Sequence, residues 1–420
     1  TRDHHFHKQE DETGEAIKDQ DGEILFEVGS GAQCIQCHMP GRNYMGVDYR
    51  PDHSFRIPDP SLAATIGSPD ACLRCHVGKD SQWSRDTVRE WYGPGQTAHY
   101  GQIIASGRQG AAGAGKELAR LAADPLYPVI VRATALSLLV NYPGTDSTQA
   151  LEIALMDEEA RIRRTAVESL YLPDPEALAK RLAAMLYDPV RTVRIEAANR
   201  LAEGMSGYLD ATQTEVYQRV LEEYEAAMKY SADFSSGRYN LGNLYAKLDR
   251  PTDAIEQYEA AIRIDEQFYP AAVNLAHLYN RTGRNPEAEK LLRETVTRHP
   301  ELYDVAYTLG LLLVEMQEYQ QAVTFLEQAA RGLPARARIH YNLGLLYQML
   351  QSVPQAENAL RTALSLEPQH LEYQYGLVDH YLKRGLFEKA RPIAEDMASM
   401  HPDEPIGAQI LEYIRKNTGG

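Results

Sequence analysis

Leu241-Gly242-Asn243-Leu244-Tyr245 opens the pattern that decides the fold of the larger part of this chain. Leu275, Leu309, Leu343 and Leu377 follow Leu241 at a constant interval of 34 residues. Four residues beyond each leucine the column reads Tyr245, Tyr279, Leu313, Tyr347 and Tyr381. Ala254, Ala288, Ala322, Ala356 and Ala390 keep the same spacing, and Pro300, Pro334, Pro368 and Pro402 close four of the units. A period of this length describes a pair of helices that cannot bury its apolar face alone and does so by stacking on its neighbours. The expected fold from about residue 207 onward is therefore a one-dimensional array with a continuous core.

These columns resemble the tetratricopeptide repeat, whose Leu-Gly-x-x-Tyr, Ala and Pro positions they reproduce. Gly242, Gly310 and Gly344 fill the glycine slot, whereas Ala276 and Val378 depart from it. The last unit diverges most, as a capping repeat does, and residues 214–235 read as a degenerate sixth unit. The resemblance implies a protein-binding or assembly role for residues 206–420. Tyr239, Tyr307, Tyr341 and Tyr375 are candidates for a groove lining, with core packing the equally plain alternative.

A second repeat precedes the first. Arg132, Arg163 and Arg194 stand 31 residues apart, with Ala135, Ala166 and Ala197 one turn later and Asp124, Asp157 and Asp188 in the preceding turns. Residues 101–205 resemble short HEAT-like repeats, each a pair of antiparallel helices. The arginine–aspartate pattern is expected to tie successive turns together and carries no catalytic role.

Residues 1–100 differ from both arrays. They hold all four cysteines, both tryptophans and seven of the thirteen histidines. Pro40, Pro51, Pro58, Pro60 and Pro69 interrupt any long helix or central strand. The cysteines form two copies of Cys-x-x-Cys-His, Cys34-Ile35-Gln36-Cys37-His38 and Cys72-Leu73-Arg74-Cys75-His76. That pattern is the attachment site of a c-type haem, with the thiols as thioethers and the histidine as iron ligand. One zinc held by four cysteines, a disulfide in each motif, or a thioredoxin-like dithiol are the rival readings. None of the three requires a histidine directly after the second cysteine. Two haem c groups, held through Cys34/Cys37 and Cys72/Cys75 with His38 and His76 beneath them, are the expected cofactors. They would also supply apolar filling to a segment too irregular to build a large core.

Closed irons need further ligands. Three groups are candidates: His4, His5 and His7 at the start, His53 in Asp52-His53-Ser54-Phe55-Arg56-Ile57-Pro58, and His99 where the helical repeats begin. Met39 and Met45 are alternatives. Two haems need two distal ligands, so a third group is surplus, or serves an iron carried by another chain or by an upstream segment. Donation across an interface would chain haems between copies.

Residues 29–100 resemble the C-terminal haem pair of secreted multihaem cytochromes that carry HEAT and tetratricopeptide repeats. The matching stretches are Gly31-Ala32-Gln33-Cys34, His38-Met39-Pro40, Asp52 to Pro58, Pro69-Asp70-Ala71-Cys72 and Trp91-Tyr92-Gly93. The resemblance implies that His53 and the His4–His7 cluster supply the distal ligands. Relatives often bear further Cys-x-x-Cys-His motifs upstream, and this sequence has none.

The expected fold class is mostly α: a small irregular dihaem cytochrome c domain over 1–100, then an α-solenoid of HEAT-like pairs and of tetratricopeptide pairs. The formal charge of −16 argues against a nucleic-acid partner. No run of some 18 apolar residues exists for a membrane span, and the polar opening Thr1-Arg2-Asp3 is no signal peptide. Covalent haem places the expected protein outside the cytoplasm, periplasmic or extracellular. The function read from these features is outer-sphere electron transfer with redox partner proteins, on a scaffold suited to homo-oligomers or haem-bearing filaments. One rival is a haem enzyme of peroxidase or nitrogen-oxide type with an open iron, recruiting His4, His5, Arg42, Tyr44 or Arg56. The other is a mainly structural recruiting protein.

Overall fold

A computed structural model describes residues 15–18, 22–26, 34–93 and 99–418. The chain divides into two compact units, Thr1–Leu201 with Met205–Tyr217, and Ala202–Gly204 with Gln218–Gly420. The first unit holds the short elements described before residue 94 together with the 31-residue repeats.

The first unit begins with short elements. They are hairpin β1 (Ile17–Lys18) and β2 (Ile24–Phe26), helix α1 (Cys34–His38), hairpin β3 (Gly41–Tyr44) and β4 (Asp48–Pro51), and helices α2 (Pro60–Ile66) and α3 (Ser81–Tyr92). Both hairpins are antiparallel, and the second pairs Gly41 with Pro51 and Tyr44 with Asp48. The prolines keep the elements short, as expected. The stretch after Ser81 contains no proline and forms a full helix, capped by the Asp80 carboxylate on the Trp83 N–H. Helix α2 packs on α3 and on α4 (Tyr100–Arg108), which joins the short elements to the repeats.

Three helix pairs follow: α5 (Ala114–Ala123) with α6 (Val129–Leu138), α7 (Thr145–Ala154) with α8 (Ala160–Ser169), and α9 (Pro175–Met185) with α10 (Arg191–Leu201). Partners pack together, and α6, α8 and α10 also pack in succession. Ala135, Ala166 and Ala197, one on each of these helices, are fully buried. The ion pairs expected from the sequence link each repeat to the next. Arg132 reaches Asp157, and Arg163 grips both oxygens of Asp188 at 2.6 and 3.0 Å.

Helix α11 (Ala211–Tyr230) is one continuous element, so residues 214–235 do not form the expected sixth pair. No glycine or proline lies between 211 and 230 to make a turn. Its latter half nonetheless does the work of a second helix. Glu225 accepts from the Tyr245 hydroxyl at 3.2 Å, as Glu259 accepts from Tyr279 one repeat later at 2.8 Å.

Five pairs build the second unit. They are α12 (Ser235–Lys247) with α13 (Pro251–Ile264), α14 (Tyr269–Arg281) with α15 (Asn285–Arg298), and α16 (Tyr303–Glu315) with α17 (Tyr319–Gly332). After these come α18 (Ala337–Met349) with α19 (Val353–Leu366), α20 (Leu371–Leu382) with α21 (Phe387–Met400), and the closing α22 (Ile406–Thr418). Each first helix ends the same way. The residue at 249, 283, 317, 351 or 385 takes a left-handed backbone, and the next N–H bonds back to the carbonyl of the Tyr245-column residue. This 6→1 closure satisfies carbonyls that the helix end would leave unpaired.

The glycine column has a packing reason. A Cβ on Gly242, Gly310 or Gly344 would lie 2.5 to 2.7 Å from Tyr258, Leu326 or Leu360, in each case 16 residues on. Val378 breaks the column, and the residue 16 positions after it is Ala394. Both are fully buried in one cluster. The bulk has moved from one helix to the other, which explains a departure that looked like divergence. Among the other tyrosines, Tyr341 is buried, Tyr239 and Tyr307 pack against the core, and Tyr375 is exposed.

Candidate haem-attachment site

The first motif is helix α1 itself. One helical turn brings Cys34, Cys37 and His38 to neighbouring positions, and the Met39 N–H closes it on the Ile35 carbonyl at 3.0 Å. The second motif makes the same turn without extending it: the His76 N–H donates to the Cys72 carbonyl at 3.0 Å.

Each motif is pinned from outside. The His38 Nδ1–H donates to the Arg56 carbonyl at 2.7 Å, and the Arg56 N–H returns a bond to the His38 carbonyl at 3.0 Å. A carbonyl only accepts, so Nδ1 bears a proton, and in the neutral ring the lone pair is then on Nε2. That is the tautomer an iron-binding imidazole needs, oriented in the manner of histidines at metal sites. In the second motif the Cys72 N–H donates to Asp70, whose other oxygen accepts from the buried Ser84 hydroxyl of α3. His76 packs against Trp83 of the same helix, ring centroids 4.8 Å apart.

The motifs are neighbours. The Arg74 guanidinium donates to the Tyr49 hydroxyl at 2.9 Å, joining motif two to the hairpin that follows motif one. The Tyr49 ring lies over Gly41, where a Cβ would come within 2.4 Å of it. Burial, and then the charges of Cys75 and Cys34, raise the Cys37 thiol above its ordinary range. Burial and the Asp70 carboxylate push Cys72 up to about 12, and burial raises Cys75. Burial, then the Lys79 charge, lower the His76 pKa.

These environments bear on the rival readings. A thioredoxin-like dithiol has a thiol lowered toward neutrality, and three of these four are raised. Among the described residues, no three Cys, His, Asp or Glu side chains gather into a metal-binding group, so the four cysteines do not converge on one zinc. All four are free thiols. Apolar side chains stand exposed beside the motifs, among them Ile35, Phe55, Tyr92, Ile57 (85%) and Val77 (78%). A broad apolar macrocycle held by both thiols would cover such surface, so the residues present fit haem.

The distal candidates fare differently. His4, His5 and His7 lie outside the described residues. His53 is exposed in the segment that straps His38. His99 caps α4: its Nδ1 accepts from the Gly101 N–H at 3.0 Å, and its ring packs on Tyr100. Ligation through Nε2 would require the proton to move to Nδ1 and break that cap. Met45 is exposed at a hairpin tip, and Met39 is half-buried. Of the groups considered for acid–base catalysis, Arg56 is engaged with Ser54 and Tyr100, and Tyr44 lies under Arg50. No spacing pointed to the parts played by Asp70, Ser84, Phe55 and the Arg56 carbonyl, although the matched stretches Asp52–Pro58 and Pro69–Cys72 contain all but Ser84.

Family models of the tetratricopeptide repeat match residues 235–268, 271–303, 307–356 and 351–412. This segment is a tetratricopeptide-repeat scaffold. Comparison with curated proteins finds no match. Among solved structures, a crystal structure of MamA is 20% identical, with 39% of this chain and 95% of that one covered and a TM-score of 0.37. MamA from residue 41 onward of Desulfovibrio magneticus RS-1 is 18% identical, covering 40% and 96%, with a TM-score of 0.38. YrrB, described as a TPR protein with an unusual peptide-binding site, is 18% identical, covering 44% and 96%, with a TM-score of 0.38. The family matches bear on the repeats, on which the recruiting rival rests, and not on haem. Among the described residues no helix is long and apolar enough to cross a membrane.

Proposed function

We propose that the chain is an extracytoplasmic dihaem c-type cytochrome that transfers electrons by an outer-sphere route, carried on a repeat scaffold that docks partners or further copies. The observation that carries this reading is the Nδ1–H bond from His38 to the Arg56 carbonyl within a Cys-x-x-Cys-His turn. Neither a disulfide nor a redox dithiol has use for an imidazole held that way.

Cys34, Cys37, Cys72 and Cys75 would hold the two groups, and His38 and His76 would bind iron through Nε2. Bound haem supplies one-electron iron chemistry. The chain's contribution is positional: Arg56 and Asp70 orient the two motifs, and the Tyr49–Arg74 bond keeps them adjacent. Capping by His99 leaves two histidine groups, His53 and the His4–His7 cluster, for two distal positions. That supports closed irons within one chain over a ligand lent across an interface.

Haem stoichiometry by pyridine haemochrome, with an electron paramagnetic resonance spectrum of the oxidised protein, tests the reading. Two low-spin haems per chain are expected. A high-spin signal that shifts with nitrite, peroxide or cyanide would favour the enzyme. A haem-free protein exported with its thiols intact would leave the recruiting scaffold, which the tetratricopeptide matches already support.

A further inference from the structure

We infer that Phe55 is a positioning residue for His38, and that its ring, with the Arg56 carbonyl, fixes the orientation of this one axial imidazole. The inference rests on the haem reading above.

Phe55 has φ +47, in the left-handed region. That backbone is sterically unfavourable for a bulky side chain, and such outliers persist only where the surroundings over-determine them. The surroundings here are explicit. The Asp52 N–H donates to the Pro40 carbonyl at 3.3 Å, and the Asp52 carboxylate accepts from the Ser54 N–H at 2.9 Å. On the other side the Arg56 backbone is doubly bonded to His38, and its guanidinium reaches the Tyr100 hydroxyl at 3.1 Å. Residue 55 is bridged between two fixed points.

Core packing does not account for the strain, since the ring is 55% exposed. What the ring does touch is the imidazole of His38, stacked at 4.8 Å between centroids with planes 8° apart. The hydrogen bond and the stack restrain different motions. The bond at Nδ1 selects the tautomer and anchors one edge, and the ring covers one face and stops the imidazole from tipping about that anchor. His76 packs on a different ring at a different angle, Trp83, with planes 54° apart. The two motif histidines are thus held in unlike ways, and the two irons should be spectroscopically distinct.

The test uses the full chain with its haems attached. Phe55→Gly removes the ring and suits the left-handed backbone, so melting temperature should hold or rise and two haems should remain. One of the two low-spin signals should shift its g-values and broaden, and the midpoint potential of that centre should move. Phe55→Tyr should restore both. Phe55→Ala separates the effects, since it keeps the backbone cost while losing the ring. Parent-like g-values and potentials in the glycine variant would overturn the assignment, as would a tyrosine variant that restores neither. A parent chain without haem would instead sink the electron-transfer reading, and this assignment with it.

Discussion

His38 and Arg56 hold each other twice, side chain to carbonyl at 2.7 Å and amide to carbonyl at 3.0 Å. Both bonds use the backbone of Arg56, so its guanidinium is left to anchor the strap on Ser54 and Tyr100. Arg56→Ala should therefore keep haem attachment, read by pyridine haemochrome. It should lower stability by about 1 kcal/mol, since both hydrogen bonds are exposed. Loss of one haem would mean that the guanidinium itself serves the site.

His99 is predicted to cap and not to ligate. Asn is a strong N-cap residue, so His99→Asn should leave stability and both low-spin signals unchanged. His99→Ala should cost about 1 kcal/mol in chemical denaturation with the same spectra. A new high-spin haem in the asparagine variant would return His99 to the ligand set.

Asp188 makes the first array sensitive to acid. Burial alone would raise its pKa, but the Arg163 bond and the Val190 N–H outweigh it and hold the carboxyl below its ordinary value. The unfolded chain then takes up this proton first as pH falls. The contribution is present above about pH 4 and is lost as pH drops toward the lower folded value. Arg163→Ala should destabilise by about 3 kcal/mol, because it removes the ion-pair partner of a buried carboxylate and leaves it the Val190 N–H. Arg163→Met with Asp188→Leu should recover most of that loss in urea unfolding.

His380 acts in the same direction nearer neutrality. It is fully buried in α20, with Nδ1 accepting from the Gln348 side chain at 3.2 Å and Nε2 without a partner. Burial, then Arg384, lower its pKa against the opposing pull of Glu357 and Asp379, with Lys389 adding to the lowering. Below about pH 6.5 the unfolded state gains a proton that the folded state resists, so stability falls with acidification. His380→Gln should shrink the difference in melting temperature between about pH 7.5 and about pH 5.5. An unchanged difference would place the sensitivity on other groups, such as the buried-shifted His277.

Gln317 occupies the left-handed turn position that Gly283 and Gly385 fill in other repeats. Gln317→Gly should raise stability by up to about 1 kcal/mol, the steric relief being partly offset by chain entropy. Gln351→Gly should do the same, and Gln317→Val should destabilise. Thermal melts of the three variants decide it.

Much of this was legible in the residues. The 34-residue columns specified helix pairs, and the 31-residue columns indicated that arginine and aspartate tie successive turns, while the structure showed that Arg132 and Arg163 each meet the aspartate 25 residues on. Two things were not. The 214–235 stretch keeps enough of the column residues to pass for a repeat, yet without a turn-forming residue it continues as one helix. Val378 read as a lapse because its compensation, Ala394, lies on another helix. At the candidate site the two Cys-x-x-Cys-His motifs announce themselves by spacing. The carbonyl of Arg56 and the ring of Phe55 carry no spacing signal, since a carbonyl belongs to every residue and a left-handed phenylalanine follows no pattern.

By itself the sequence determined the spacing of the two Cys-x-x-Cys-His motifs and the periods of both arrays, because thiol spacing and helical repeat are local properties of the chain. Only the tertiary structure decided which nitrogen of His38 bears its proton, that His99 closes a helix, and that the two motifs stand side by side. Those outcomes depend on a hydrogen-bond partner 18 residues away for His38, the start of α4 for His99, and the Tyr49–Arg74 bond for the motifs. Such long-range pairings are set by the packed chain, and no local pattern encodes them.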